Sequence, residues 1–292
     1  MNEYRFNTGK VVLNYVMAPD TGQKAGTRPA VVLLHGGSGH WQHMEGLLTG
    51  LAERWQVYAP DLRGHGLSGR VPWGYAINDY AIDIAAFLEQ VSGPAFLFGH
   101  SLGGIIAQMT AATYPENVAG LLLGDSPLDS GPWNTFLQTG REKLEAWIAL
   151  SGGRYTVEEI LGWLKDVSTG PPGEDGRTLL IRAVFPENYS ACRELAERLY
   201  QQDPNVLGML LEDYAHAAAG FDMQSNLPAI RCPVLLMQAD PAAGSVMTDA
   251  EVQRALLLLR YPSHVRFDGL SHQFLFEDPQ RVLQAMEDFM GL

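Results

Sequence analysis

The chain has 292 residues, 46% of them hydrophobic and 18% charged, enough apolar material for one large α/β core with an inserted subdomain. A formal net charge of −13 with no clustered Lys or Arg argues against a polyanion partner such as nucleic acid and leaves room for a neutral or cationic substrate. The two cysteines, Cys192 and Cys232, stand far apart without metal-ligand spacing, so neither a disulfide framework nor a structural zinc site is expected.

In chain order the first half alternates strand and helix patterns. Strands are predicted over 10–17, 30–34, 56–59, 94–98 and 118–123, with helices over 41–54, 79–91 and 102–114 between them. Repeated β-α units imply a mostly parallel sheet with helices on both faces and an active site at the carboxyl ends of its strands. The alternation stops after Asp125-Ser126-Pro127. From about 133 to 221 only helical stretches are predicted, over 136–150, 156–167, 191–202 and 206–219, broken by clusters such as Gly170-Pro171-Pro172-Gly173. Strand and helix then resume at 233–238, 249–259, 265–267 and 279–290, with Asp249 expected as a helix N-cap. This divides the chain into a core, 1–127 and 222–292, and an all-helical cap over its catalytic edge, 128–221. The N-terminus lacks the basic flank and apolar run of a signal peptide, and no apolar stretch reaches the roughly 20 residues of a membrane span. A cytoplasmic protein without membrane attachment is expected.

The most informative segment is Gly99-His100-Ser101-Leu102-Gly103, which follows one predicted strand directly and opens the next predicted helix. Strand, G-x-S-x-G, helix is the setting of a nucleophilic serine held at the apex of a tight turn. Small flanking residues let the backbones cross, and an amide of the first helical turn can face negative charge on a substrate oxygen.

Three further segments complete a pattern: Leu34-His35-Gly36-Gly37, Pro60-Asp61-Leu62-Arg63-Gly64-His65-Gly66-Leu67-Ser68 and Gly269-Leu270-Ser271-His272. In this order and spacing, and across essentially the whole chain, the sequence resembles the α/β-hydrolase fold superfamily. The resemblance implies a doubly wound sheet of about eight strands with an inserted helical cap, and hydrolysis without metal or organic cofactor. It implies an oxyanion hole from the backbone amides of Gly37 and Leu102, and a base at His272 in the order nucleophile, acid, histidine. The 61–68 segment reads as a structural signature, which keeps Arg63 and His65 outside the chemistry.

The orienting carboxylate is ambiguous. The family's G-x-x-D position after the seventh strand falls on Ala242 here, so Asp240 serves only in a shortened loop. Asp125, 24 residues beyond Ser101 at the end of the sixth strand, occupies the location used by some haloalkane dehalogenases and zearalenone-type lactonases, and is preferred with Asp240 as the alternative.

Serine rather than aspartate at the elbow favours acyl transfer to water, on a small-molecule ester or lactone. Cleavage of a carbon–carbon bond in a β-diketone, a proline iminopeptidase-like activity and a slow-turnover ligand receptor are the other readings. Among the aromatic residues of the cap, which include Trp147, Trp163, Phe185 and Tyr214, most are expected in its own core; Gly36, Trp41, Trp133 and Phe136 are expected at the substrate pocket. Oligomeric state and the physiological substrate have no signature in the sequence.

Overall fold

A computed structural model of the chain describes residues 1–19, 28–164 and 189–291. The predicted Gly170–Gly173 break, the end of the 156–167 helix and Phe185 lie outside them.

Eight strands, β1 (Glu3–Asn7), β2 (Val12–Met17), β3 (Ala30–Leu34), β4 (Gln56–Pro60), β5 (Ala95–His100), β6 (Val118–Gly124), β7 (Val234–Ala239) and β8 (Pro262–Phe267), form one sheet in the order β1-β2-β4-β3-β5-β6-β7-β8. β1 and β2 pair antiparallel, as do β2 and β4, and every other pairing is parallel. The expectation of a mostly parallel doubly wound sheet holds. Strand order reverses at β3, and a crevice forms there because consecutive loops leave the sheet in opposite directions.

The central strands are apolar along their whole length because helices cover both faces. Along β3, Val31 and Leu33 enter one core with Val57, Phe98 and Met237, while Val32 and Leu34 enter the other with Leu97, Leu121 and Leu236. The first face carries α1 (Glu45–Leu51) and, at the chain end, the helix over Pro279–Met290; the second carries α2 (Ile77–Phe87) and α3 (Leu102–Thr113).

Among the described residues, six helices run between β6 and the helix preceding β7: α4 (Ser130–Thr139), α5 (Arg141–Leu150), α6 (Val157–Leu164), α7 (Tyr189–Gln201), α8 (Pro204–Glu212) and α9 (Tyr214–Ala217). Leu150, Ile160, Leu161, Leu164, Ala196 and Leu199 give this insert a small core of its own. Its far end is tied to the sheet domain: Asp203 N–H donates to Gly64 O at 2.8 Å, Tyr75 Oη–H to Asp203 Oδ2 at 2.7 Å, and Arg70 Nη2–H to Gln201 O at 3.0 Å. α10 (Met223–Ala229), α11 (Asp249–Leu258), α12 (Phe274–Glu277) and α13 (Pro279–Met290) complete the fold. No helix among the described residues is long and apolar enough to cross a membrane.

Several predicted boundaries change. The 136–150 helix is two helices that meet at Gly140, and the 41–54 helix is a 3₁₀ turn (Trp41–Met44) followed by α1. Asp249 is not an N-cap. Thr248 holds that place: its hydroxyl accepts the Glu251 amide at 3.2 Å, and the Glu251 carboxylate accepts the Thr248 amide at 3.0 Å, the reciprocal pair that a Thr-x-x-Glu sequence makes.

Candidate active site

β5 ends at His100 and α3 begins at Leu102, so the whole reversal is made at Ser101, with φ 53° and ψ −118°. A side chain in that region is strained, and the surroundings enforce it. Ser101 N–H donates to Gly124 O at 3.0 Å, and Ser126 Oγ–H donates to Ser101 O at 2.8 Å. The flanks must be glycine. A Cβ on Gly99 would stand 2.2 Å from Gly103 O, and one on Gly103 would stand 2.5 Å from Leu34 O.

The β3 loop closes against this elbow. A Cβ on Gly36 would lie 3.2 Å from Ser101 Cβ, and one on Gly37 would lie 4.0 Å from Leu102 Cβ. Leu102 opens α3, so its amide has no carbonyl within the helix to bond. His35 anchors the loop: its Nε2 accepts Leu62 N–H at 3.0 Å, and its Nδ1–H donates to Gly36 O at 2.8 Å. The 61–68 segment is internally occupied. Asp61 accepts the amides of Trp41 and Leu67 and the Asn14 side chain, and burial pushes its carboxyl up to about 6 against their pull. Arg63 forms a two-pronged pair with Asp83, at 2.6 and 2.8 Å.

His272 lies on the loop after β8 and is partly buried. Its Nδ1–H donates to Asp125 Oδ2 at 2.7 Å, which leaves Nε2 as the ring's free lone pair. Asp125 sits one residue past β6 in a left-handed conformation, φ 39°, and is fully buried. Its carboxylate also accepts Ala239 N–H at 3.1 Å, Val246 N–H at 3.0 Å and Ser245 Oγ–H at 2.5 Å. Burial alone would raise this carboxyl, but the hydrogen bond and charge of His272, with the Ser245 and Val246 donors, outweigh it and hold it below the usual carboxylate range. Asp240 has other partners. It accepts Gly269 N–H at 2.8 Å, Ala242 N–H at 2.9 Å and the Arg266 guanidinium at 3.3 Å, and these donors, Gly269 first, lower its pKa.

His100 supports the histidine loop from below. Its ring stacks on that of His272 with centroids 4.7 Å apart, and its Nε2–H donates to His272 O at 2.9 Å. Burial, then the neighbouring His272, bring its pKa down to about 3, so it stays neutral and keeps this tautomer. The sequence reading missed His100, although its place beside the nucleophile was a usable signal. It also missed Ser245 and the Ala239 and Val246 amides, which have no local signature.

Of the aromatic residues expected at the pocket, Trp41 and Trp133 are buried in the two cores of the sheet domain. The Trp41 indole N–H donates to the Glu3 carboxylate at 3.1 Å, and its ring is part of the core under β3. Trp133 packs edge-on against Tyr214 and Phe221, and Phe136 is 46% exposed. A large apolar ring beside a sheet edge gains more by completing the core than by lining a polar crevice. A cavity of about 650 Å³, lined by Trp73, Asp79, Met109 and His216 among others, shares no residue with this site.

Residues 31–285 match the model of the alpha/beta hydrolase family. Over 98% of its length the chain is 35% identical to the 2-(acetamidomethylene)succinate hydrolase of Mesorhizobium japonicum, 94% of which is covered. It is 26% identical, over 92% of the chain and 98% of the relative, to the pimeloyl-[acyl-carrier protein] methyl ester esterase of Aeromonas hydrophila. Among solved structures, the enol-lactonase of Burkholderia xenovorans LB400 shares the fold with a TM-score of 0.72 at 16% identity, over 99% of this chain and all of that one. The chain belongs to the alpha/beta hydrolase family and is a hydrolase of that fold.

Proposed function

We propose that the protein hydrolyses a carboxylic ester or lactone through an acyl-enzyme on Ser101, with His272 as base and Asp125 as its orienting acid. The observation that carries this reading is the 2.7 Å contact of His272 Nδ1–H with a buried, multiply hydrogen-bonded Asp125, on the same sheet edge as a serine strained into an elbow. Asp125 fixes the tautomer that leaves His272 Nε2 basic and stabilises the imidazolium formed when that nitrogen takes the Ser101 proton. Ser101 Oγ then bonds to the substrate carbonyl carbon, and the oxyanion faces the amides of Gly37 and Leu102. The imidazolium returns its proton to the alkoxide, which leaves as the alcohol or, in a lactone, stays tethered to the acyl group. Water attacks the acyl-enzyme while His272 again takes a proton, and the acid is released with Ser101 restored. The esterase and lactonase names among the relatives support this reaction class.

A second reading, cleavage of an amide C–N bond on the same residues, is favoured by the 35% identical relative, which is named for a substrate bearing an acetamido group. The deciding experiment is a fluorophosphonate probe with a parallel p-nitrophenyl acetate assay. Attack by Ser101 expels fluoride, so a single phosphonyl adduct on the Ser101 peptide is expected, with ester turnover that Ser101→Ala abolishes. Absence of both label and turnover in folded protein would remove the serine-hydrolase reading.

A further inference from the structure

His100 is the last residue of β5, one place before the serine. Pairing of β5 with β3, Gly99 opposite Leu34, and with β6, His100 opposite Gly124, fixes its backbone in the middle of the sheet. It is 5% exposed, and its ring meets two loops at once. Toward the β3 loop its Nδ1 lies against Gly36, where a Cβ would stand 3.1 Å from that nitrogen. Toward the loop after β8 its ring stacks on the His272 imidazole and its Nε2 bonds the His272 carbonyl at 2.9 Å. A carbonyl only accepts, so Nε2 carries the ring's proton, and a ring kept neutral by burial has no second proton at Nδ1.

The segment that carries His272 bonds largely to itself. Ser271 N–H donates to Glu277 Oε2 at 2.8 Å, Gln273 N–H to Ser271 Oγ at 3.1 Å and Phe274 N–H to Ser271 O at 2.9 Å. Two bonds of His272 leave the segment, one from its Nδ1–H to Asp125 and one from its carbonyl to His100. The Asp125 bond fixes one edge of the imidazole but leaves the ring free to pivot about that edge. The His100 bond fixes the backbone from which the ring hangs, and the stacked ring closes one of its faces. A misplacement of about 1 Å in a catalytic group costs on the order of 10² in rate.

We propose that His100 is a positioning residue for the base: by donating to the His272 carbonyl and lying against its imidazole, it keeps that ring beside Ser101. A strand end locked into the sheet on both sides is a stiffer support than the loop it steadies. Because the same ring abuts Gly36, one side chain also spaces the base from the glycine loop. The effect on rate rests on the serine-hydrolase reading; the effect on His272 itself does not.

Three substitutions separate the bond from the bulk. His100→Gln places an amide N–H near the position of Nε2, His100→Phe keeps a stacking ring without the donor, and His100→Ala removes both. Rates are taken as the second-order constant of fluorophosphonate labelling and as p-nitrophenyl acetate turnover per labelled site, so that unfolded molecules do not count. Both rates are expected to fall about a hundredfold in His100→Phe and His100→Ala and to stay within about tenfold of native in His100→Gln. A His100→Phe protein within about threefold of native, or a His100→Gln protein as slow as His100→Phe, overturns the positioning role while hydrolase activity stands. The second readout needs no turnover. In proton NMR the His272 Nδ1–H bonded to Asp125 gives a downfield resonance, assigned by its absence in His272→Ala. It is expected to persist in His100→Gln and to broaden through exchange with water in His100→Phe. A resonance that His100→Phe leaves unchanged overturns the proposal. Its loss there, in a protein whose native form is neither labelled nor active, would retain the positioning role and count against the reaction.

Discussion

At Asp125 the carboxylate is surrounded by four donors, and only one of them, His272 Nδ1–H, belongs to an imidazole. Asp125→Asn would offer an amide in place of an acceptor and favour the wrong imidazole tautomer. Turnover is expected to fall on the order of 10⁴-fold, as for the corresponding change in a serine protease. Asp240→Asn, at an aspartate bonded to Gly269 and Ala242, is expected to stay within about tenfold of the native rate. Steady-state kcat of both variants on one ester checks the pair, and a reversed order would move the acid to Asp240. From the sequence both aspartates were candidates, each at the end of an apolar strand. Their difference is where each side chain turns after leaving the sheet, and no spacing rule reports that.

The elbow between β5 and α3 is the element most fully written in the local sequence, because its constraint is local. Two glycines flank one residue, and backbones approach too closely for a Cβ at either. Gly103→Ala would drive a methyl group toward the Leu34 and His35 carbonyls, and a destabilisation of about 3 kcal/mol is expected from overpacking against backbone. Gly208→Ala, inside α8 with nothing within 4 Å of the added carbon, is expected to stabilise by up to about 1 kcal/mol. Urea midpoints of the two variants check the contrast; a Gly103→Ala protein as stable as the native one would contradict the packing argument. Other elements were less legible. β1 was not predicted, since it is an edge strand with every residue exposed or half-buried, although Tyr4 and Phe6 alternate with Glu3, Arg5 and Asn7. The broken helices of the insert were predicted as longer ones because Gly140 and Asp213 interrupt an apolar period without erasing it.

Across the whole molecule, four buried histidines set the acid limit of stability. His35, His40, His65 and His100 are held neutral by burial, with pKa values lowered to about 4 for His40 and His65 and about 3 for His100. In the unfolded chain each takes up a proton near about 6.5. Between about 6.5 and 4 the unfolded state therefore binds more protons, and stability falls with pH by up to about 1.4 kcal/mol per pH unit for each histidine. Asp61, raised to about 6 by burial, has the opposite sign: the folded state holds its proton first, so its contribution grows as pH falls through that value. Asp125, whose pKa is lowered, contributes stability that is lost only at more acid pH, as pH falls from its unfolded toward its folded value. Four histidines against one aspartate give a urea midpoint expected to be lower at pH 5 than at pH 7, and an unchanged or higher midpoint at pH 5 would count against the buried neutral histidines.

The sequence by itself determined the alternating sheet, its interruption by helices, the serine at an elbow, the glycine loop that meets it and a histidine on the last loop. Each of these is encoded in residues adjacent in the chain, through periodicity, turn chemistry or steric room. The tertiary structure alone decided which carboxylate meets His272, because β6 and β7 pair in register at Leu121 to Gly124 and bring Ala239, Ser245 and Val246 around Asp125 from more than a hundred residues away. It also decided that Trp41 and Trp133 complete the core. Those choices depend on which distant side chains compete for the same space and the same hydrogen bonds, and that competition exists only once the chain has folded.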